Sequence, residues 1–229
     1  DSALALLDRD IDVLVLGIYS QESETAYIVE RAHERGIKTV GFAVTAKDSP
    51  AVIEDTWGTG MKMGYHVHNT LGRSGKIAQT AESRGFYTPF DMEVDMLALM
   101  TSFEPRMEMH EFISGSTSTD DQISKGRENM LALLQSHPQQ GSLAALVSWW
   151  WPLTIGAGQA LVQTGRTDVK LFNHYFSDQL LGAMESGNIP VDFSTDCQYH
   201  SMGAKVAELA LALGRGEEVA NNVYQAPIT

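Results

Sequence analysis

Short apolar runs bounded by turn-forming residues alternate along the chain with longer stretches whose apolar positions recur every three or four residues. The runs Ile11–Ile18, Ile37–Val44, Ala51–Glu54, Gly75–Glu82, Arg106–Ser114, Leu143–Trp149, Asp168–Tyr175 and Val191–Asp196 predict strands. The stretches Ser23–Gly36, Thr59–Gly72, Thr88–Phe103, Asp121–His137, Ser201–Gly216, and those from about 153 to 163 and 177 to 185, predict helices. Start and stop signals fit this division. Ser23 is placed to cap a helix and Gly36 to end it, Pro89 and Pro152 suit first turns, and Pro138 stops a helix. The opening residues read as the end of a helix running into a strand, and "NNVYQAPIT" as a closing extended segment.

A strand followed by a helix, repeated, predicts parallel sheets covered on both faces. Ligands of such sheets sit beyond the carboxyl ends of the strands. Function is therefore to be sought in Tyr19, Thr45, Ser83–Tyr87, Ser114–Ser116, Trp149–Trp151, His174–Phe176 and Cys197–Tyr199. These segments are rich in aromatic and hydrogen-bonding groups, as a pocket for a small polar solute with an apolar face requires. Three consecutive tryptophans cannot all point into one core, because successive strand residues face opposite ways. One is expected to pack inward and at least one to face a ligand. The alternative is that all three pack under other elements.

Composition narrows the classes. The chain has 229 residues, 43% hydrophobic and 20% charged, with a net charge of -13. That is ordinary globular composition. The acidic balance argues against a nucleic-acid surface. The single cysteine, Cys197, excludes an internal disulfide. No apolar run is long enough to span a membrane.

The order of segments resembles the type I periplasmic solute-binding proteins of sugar ABC transporters, the ribose- and galactose-binding group, whose fold the ligand-binding core of LacI-type repressors shares. "IDVLVLGIYSQESETAYIVERAHERGIKTVGFAV" resembles the family's strand, helix and strand. "EDTWGTGMKMGYHVHNTLG" places Asp55 and Gly60 on its D-x-x-x-x-G segment. "IGAGQALVQTGRTDVKLFN", "LLGAMESGNI" and "YHSMGAKVAELALALGRGEEV" resemble its later helices and turns. The resemblance implies two doubly wound parallel-sheet lobes that close on a ligand. The first would hold 1–54 and 197–217, the second 55–196 with the tail 218–229. It also implies that the first lobe lacks its N-terminal strand-helix-strand here.

The departures from that family lie at ligand positions. Val44–Thr45 stand where sugar binders carry an acidic residue and an arginine, Trp150–Trp151 where they carry Asn-Asp, and Tyr175 where they carry Asp. Cys197 or Gln198 falls near their hinge glutamine, and Asp91–Glu93 near their helix-start arginine. The resemblance implies a ligand set of Tyr19, Thr45, Arg84, Asp91, Trp150, Tyr175 and Gln198. Trp150 would stack on a sugar ring, or with Tyr175, Tyr19 and Trp57 enclose a cationic amine beside Asp55, Asp91 and Glu93.

Other signals read as structural. His66 and His68 are two apart on a helix and share no face, so no metal site is expected there. His174, at a strand end, fits either a ligand contact or a structural hydrogen bond. The paired glycines of "GTGMKMG" and "GAGQALVQTG" open no dinucleotide fingerprint and read as close helix packing. Asp120–Asp121 read as capping residues, and the methionines of "DMEVDMLALM" as core or interface filling. No nucleophile and base constellation stands out. The expectation is thus a monomeric, periplasmic or otherwise extracytoplasmic receptor, made with a signal peptide. It would bind a sugar or similar solute without cofactor, metal, nucleic acid or catalysis, and hand it to an ABC permease. The alternatives are a sensor subunit, or a repressor core binding a non-sugar ligand such as a quaternary amine.

Overall fold

The computed structural model of the chain describes residues 2–17, 22–85, 88–116, 118 and 120–226. Two compact units divide it: Asp1–Asp55 with Cys197–Thr229, and Thr56–Asp196.

In the first unit the chain runs α1 (Ser2–Leu6), β1 (Val13–Leu16), α2 (Glu22–Glu34), β2 (Lys38–Phe42) and β3 (Ala51–Glu54), and returns as α8 (Tyr199–Gly214) and β10 (Val223–Ala226). The sheet order is β1-β2-β3-β10, every pair parallel. Leu14 and Leu16 alternate to one face and pack with Val29, Ala32 and Ile37 around α2. Val40 and Val52 pack on the other face with Met202, Val206 and Leu209 of α8. Both faces are therefore covered, as a parallel sheet requires. Gly36 ends α2 in the left-handed region at φ +74°, and the Ile37 amide reaches back to the Ala32 carbonyl at 3.0 Å.

The second unit holds α3 (Thr56–Thr70), β4 (Gly75–Ala81), α4 (Thr88–Ser102), β5 (Met107–Met109), β6 (Ile113–Ser114), α5 (Gln122–Ser136), β7 (Ala145–Ser148), α6 (Trp151–Thr164), β8 (Lys170–His174), α7 (Asp178–Glu185) and β9 (Phe193–Thr195). Its sheet runs β5-β4-β7-β8-β9, with β6 also on β4, and is parallel throughout. The central strand β7 is buried at all four positions, so it reads as an unbroken apolar run.

Several expectations need correction. The tail, expected with the second lobe, supplies β10, which pairs with β3 in the first unit. Ser23 lies inside α2, which already begins at Glu22. Asp121 does stand at the N-cap of α5, but its side chain makes no capping bond; the capping chemistry belongs to Ser177, whose hydroxyl accepts from the Leu180 amide at 3.0 Å. The strand expected over Arg106–Ser114 is broken into β5 and β6. Of the strand expected over Ile11–Ile18, Ile18 lies outside the described residues, and the ladder spans Val13–Leu16. Helix α3 starts three residues before the sequence pattern does, because Thr56–Gly58 carry no apolar periodicity of their own.

The paired glycines do what close packing requires. A Cβ on Gly156 would overlap the Ile123 carbonyl oxygen and the Arg127 amide nitrogen of α5, and one on Gly126 would overlap the Leu153 backbone of α6. Gly60 and Gly64 of α3 face the side chains of Met96 and Met100 of α4 instead of backbone. Gly156→Ala is expected to destabilise the protein by roughly 2–4 kcal/mol, because backbone has to yield. Gly182→Ala on α7, where nothing lies within 4 Å, is expected to be neutral or stabilising by up to about 1 kcal/mol. Urea unfolding of the two variants beside the parent checks both signs.

Candidate functional site

The carboxyl ends of β4, β7 and β8 bring three segments of the second unit together. β4 runs into Glu82, β7 into Trp149–Trp150, and β8 into Tyr175. The first two turns of α4 add Phe90 and Glu93, and the start of α5 adds Gln122.

The three tryptophans divide as their alternation demands. Trp149 is fully buried, and its indole N–H donates to Gln79 Oε1 at 2.8 Å. Trp151 packs partly buried against Ile155, Leu180 and Ile189. Trp150, the N-cap residue of α6, is only partly buried. Its ring meets Tyr175 at 5.4 Å and 74° and Phe90 at 5.8 Å and 49°, and Phe90 meets Tyr175 at 5.4 Å and 82°. These tilted and edge-on geometries are the favourable ones for aromatic pairs. Phe90 and Tyr175 are buried, so two walls hold one partly exposed indole.

Hydrogen bonds fix the orientation. The Trp150 indole N–H donates to Gln122 Oε1 at 2.9 Å. Gln122 Nε2 in turn donates to Glu82 Oε1 at 2.7 Å and to the Ser116 carbonyl at 3.2 Å. Asn173 accepts from the Thr154 hydroxyl at 2.6 Å and donates to the Tyr175 carbonyl at 3.0 Å and to Ser194 Oγ at 2.6 Å. Tyr175 itself has φ +69°, a left-handed conformation that costs a bulky residue about 1–3 kcal/mol. The Asn173 bond and a 3.2 Å bond from the Tyr175 amide to the Thr195 carbonyl hold it there. His174 and Glu93 are both fully buried and lie 3.3 Å apart, Nε2 to Oε1, while His174 Nδ1 is 2.6 Å from Thr195 Oγ1.

Of the residues expected to bind ligand, Trp150 and Tyr175 are brought together. Arg84 and Asp91 are brought together too, but on each other. Arg84 Nε lies 3.4 Å from Asp91 Oδ1, its guanidinium also pairs with Asp95 and lies over the Phe112 ring at 5.7 Å, and Asp91 Oδ2 accepts from the Gly85 amide at 2.8 Å. Together they tie the loop after β4 to the start of α4. Thr45 and Gln198 belong to the first unit. Thr45 follows β2, and Gln198 precedes α8 at φ +59°, its carbonyl accepting from the Met202 amide at 3.0 Å. Tyr19 lies outside the described residues. Trp57, considered as a further ring, is 51% exposed on α3. The histidine pair of α3 divides as its spacing demands: His68 is buried beside Thr101, and His66 stacks on Phe193 at 3.8 Å. Gln79, Glu82, Gln122 and Asn173 carry no chemical motif. Their position just inside or after strand and helix ends is the one signal pointing to them.

Glu82 is the electrostatic outlier. Burial pushes its carboxyl up to about 7, against the opposing hydrogen bond from Gln122. The folded-state value thus lies above the ordinary one of 4.5. The resulting stabilisation is complete below about pH 4.5 and is lost as pH rises through about 7. Glu82→Gln holds the uncharged form at every pH. Its stability relative to the parent is expected to rise between pH 5 and pH 8, by about 2–3 kcal/mol. Urea midpoints across that range check it, and a difference that stays flat overturns the assignment.

A model of the periplasmic binding protein domain matches residues 4–218. Among curated proteins no sequence matches the chain. Among solved structures, the chain is similar to an ABC transporter solute-binding protein from Agrobacterium vitis with bound allitol, at 21% identity and TM-score 0.85 over 99% of this chain and 77% of that one. A sugar ABC transporter protein from Yersinia enterocolitica is similar at 21% identity and TM-score 0.88 over 100% and 68%. A 5-methylthioribose transporter solute-binding protein from Thermotoga lettingae, in complex with 5-methylthioribose, is similar at 17% identity and TM-score 0.87 over 100% and 70%. At these identities the likeness is one of fold. Among the described residues, no helix is long and apolar enough to cross a membrane.

Proposed function

The chain belongs to the periplasmic binding protein domain family, and from that membership we propose that it is an extracytoplasmic solute receptor of an ABC transporter, acting by binding and not by turnover. The observation that carries this reading is the partly exposed Trp150, held at the carboxyl ends of parallel strands by two buried rings and a hydrogen bond from its indole. Binding sites of such sheets lie at that end. A stacking surface held in place before the ligand arrives loses little entropy on binding.

The solutes bound by the structural neighbours, allitol and 5-methylthioribose among them, are small and polar. A small polar solute is the class proposed here. Trp150 forms the stacking side of its site, with the buried Tyr175 behind it. Thr45, Gln198 and Tyr19 are proposed as further contacts. Arg84 and Asp91 act through the loop they brace. Release to a membrane permease, a periplasmic location and a monomeric state belong to the same proposal.

A thermal-shift screen against allitol, D-allose, myo-inositol, 5-methylthioribose and a quaternary amine tests it. A ligand at ~1,000 times its Kd adds about 4 kcal/mol, which moves the midpoint by several degrees. Trp150→Ala is expected to abolish the shift while leaving the unliganded midpoint within a few degrees of the parent. A shift that persists undiminished in Trp150→Ala places the ligand elsewhere. Steady turnover of a bound compound overturns the receptor reading.

A further inference from the structure

Among the described residues, the amide and indole donors around Trp150 are already engaged. Gln122 Nε2 gives one hydrogen to Glu82 and the other to the Ser116 carbonyl. Asn173 Nδ2 gives its two to the Tyr175 carbonyl and Ser194 Oγ. Gln79 Nε2 donates to the Val94 carbonyl at 3.1 Å and to Met109 Sδ at 3.6 Å. The indole N–H groups of Trp149 and Trp150 go to Gln79 and Gln122, and the Thr154 hydroxyl to Asn173. The Arg84 guanidinium is engaged with Asp91 and Asp95.

A sugar ring presents hydroxyls around its rim, and each asks for donors as well as acceptors in the plane of the ring. Taking a donor from this network leaves another buried group without its partner, which is the expensive way to bind. The Trp150 ring face asks for no such exchange. It meets a flat, weakly polar surface by dispersion and by its own quadrupole.

Resting on the receptor reading above, we infer that the solute presents an aromatic or heteroaromatic ring to the second unit and lays it on Trp150, so that polar recognition of the solute falls to its other parts. A cationic amine fits this surface less well than a neutral ring. Glu82 Oε1 already accepts from Gln122, and Glu93 lies 3.3 Å from His174.

Matched solutes that differ by one ring test the inference, with calorimetric titration of the protein as the readout. The pairs are adenosine with D-ribose, and phenyl β-D-glucoside with D-glucose; allitol and choline complete the set. The ring-bearing member of at least one pair is expected to bind ten-fold or more tightly than its parent sugar and to quench tryptophan emission. Trp150→Ala is expected to bring that pair within about three-fold, and Trp150→Phe to keep most of the difference. Should the alanine variant not fold, the pair ratio in the parent and in Trp150→Phe decides alone. Binding of ribose, glucose or allitol as tightly as of the ringed solutes overturns the inference and leaves the receptor reading standing. Preference for choline over all of them overturns it in favour of a cation site. Binding of none of the six overturns the inference, and overturns the receptor reading with it when the thermal-shift panel above gives no shift either.

Discussion

Helices α5 and α6 lie as close as two glycines permit, and the position of Trp150 follows from that approach. Gly126 sits against the Leu153 backbone, and Gly156 against the backbone of Ile123 and Arg127. Gln122 is one turn before Gly126 on the same face of α5. Trp150 caps the helix that carries Gly156. Bringing the two backbones together therefore carries the amide of Gln122 to the indole of Trp150, at 2.9 Å. Any side chain at Gly156 would push α5 and α6 apart, and the same displacement would draw Gln122 from the ring. The packing constraint and the held indole are one feature at two distances along a pair of helices.

The same unit shows how a buried polar network can fix rings without charge. Gln79, Gln122 and Asn173 are each placed between an aromatic segment and backbone or hydroxyl partners. An amide offers two donors and an acceptor in one plane, so it satisfies a ring N–H and still anchors itself. Full satisfaction is what makes such networks rigid, because each partial loss exposes a buried group. That rigidity also explains how Tyr175 is kept at φ +69°, where an unassisted tyrosine would relax.

Much of the fold was legible because its signals are local and repeated. The β-then-α alternation predicted parallel sheets covered on both faces, and motif order pointed to the family that the domain match and the fold now show. The glycine pairs were legible as packing, since no phosphate-binding pattern accompanied them. The tail was not: "NNVYQAPIT" is extended in either placement, and only its register on β3 decides which sheet it joins. At the site, Trp150 and Tyr175 stood out by residue type and by their place after strands. Arg84 and Asp91 did as well, yet the start of α4 brings them onto each other, a local closure that spacing alone does not announce. Gln122 and Glu82 are 40 positions apart and became partners only through the fold.

The scaffold and the site answer to different constraints. Proteins 17–21% identical to this chain keep its fold at TM-scores of 0.85 to 0.88, because buried strands and glycine contacts need only an apolar pattern and room. The residues just past the strand ends are free of that demand and can change wholesale. In this chain those after β7 and β8 are aromatic, and the amides of Gln79, Gln122 and Asn173 nearby are committed to rings, hydroxyls or backbone. On the receptor reading proposed above, such a site recognises by shape and surface on one side, and its specificity depends on how firmly Trp150 is held. Fold membership accounts for the strand-end position of Trp150, while the hydrogen bonds and rings around its indole account for how it is held there.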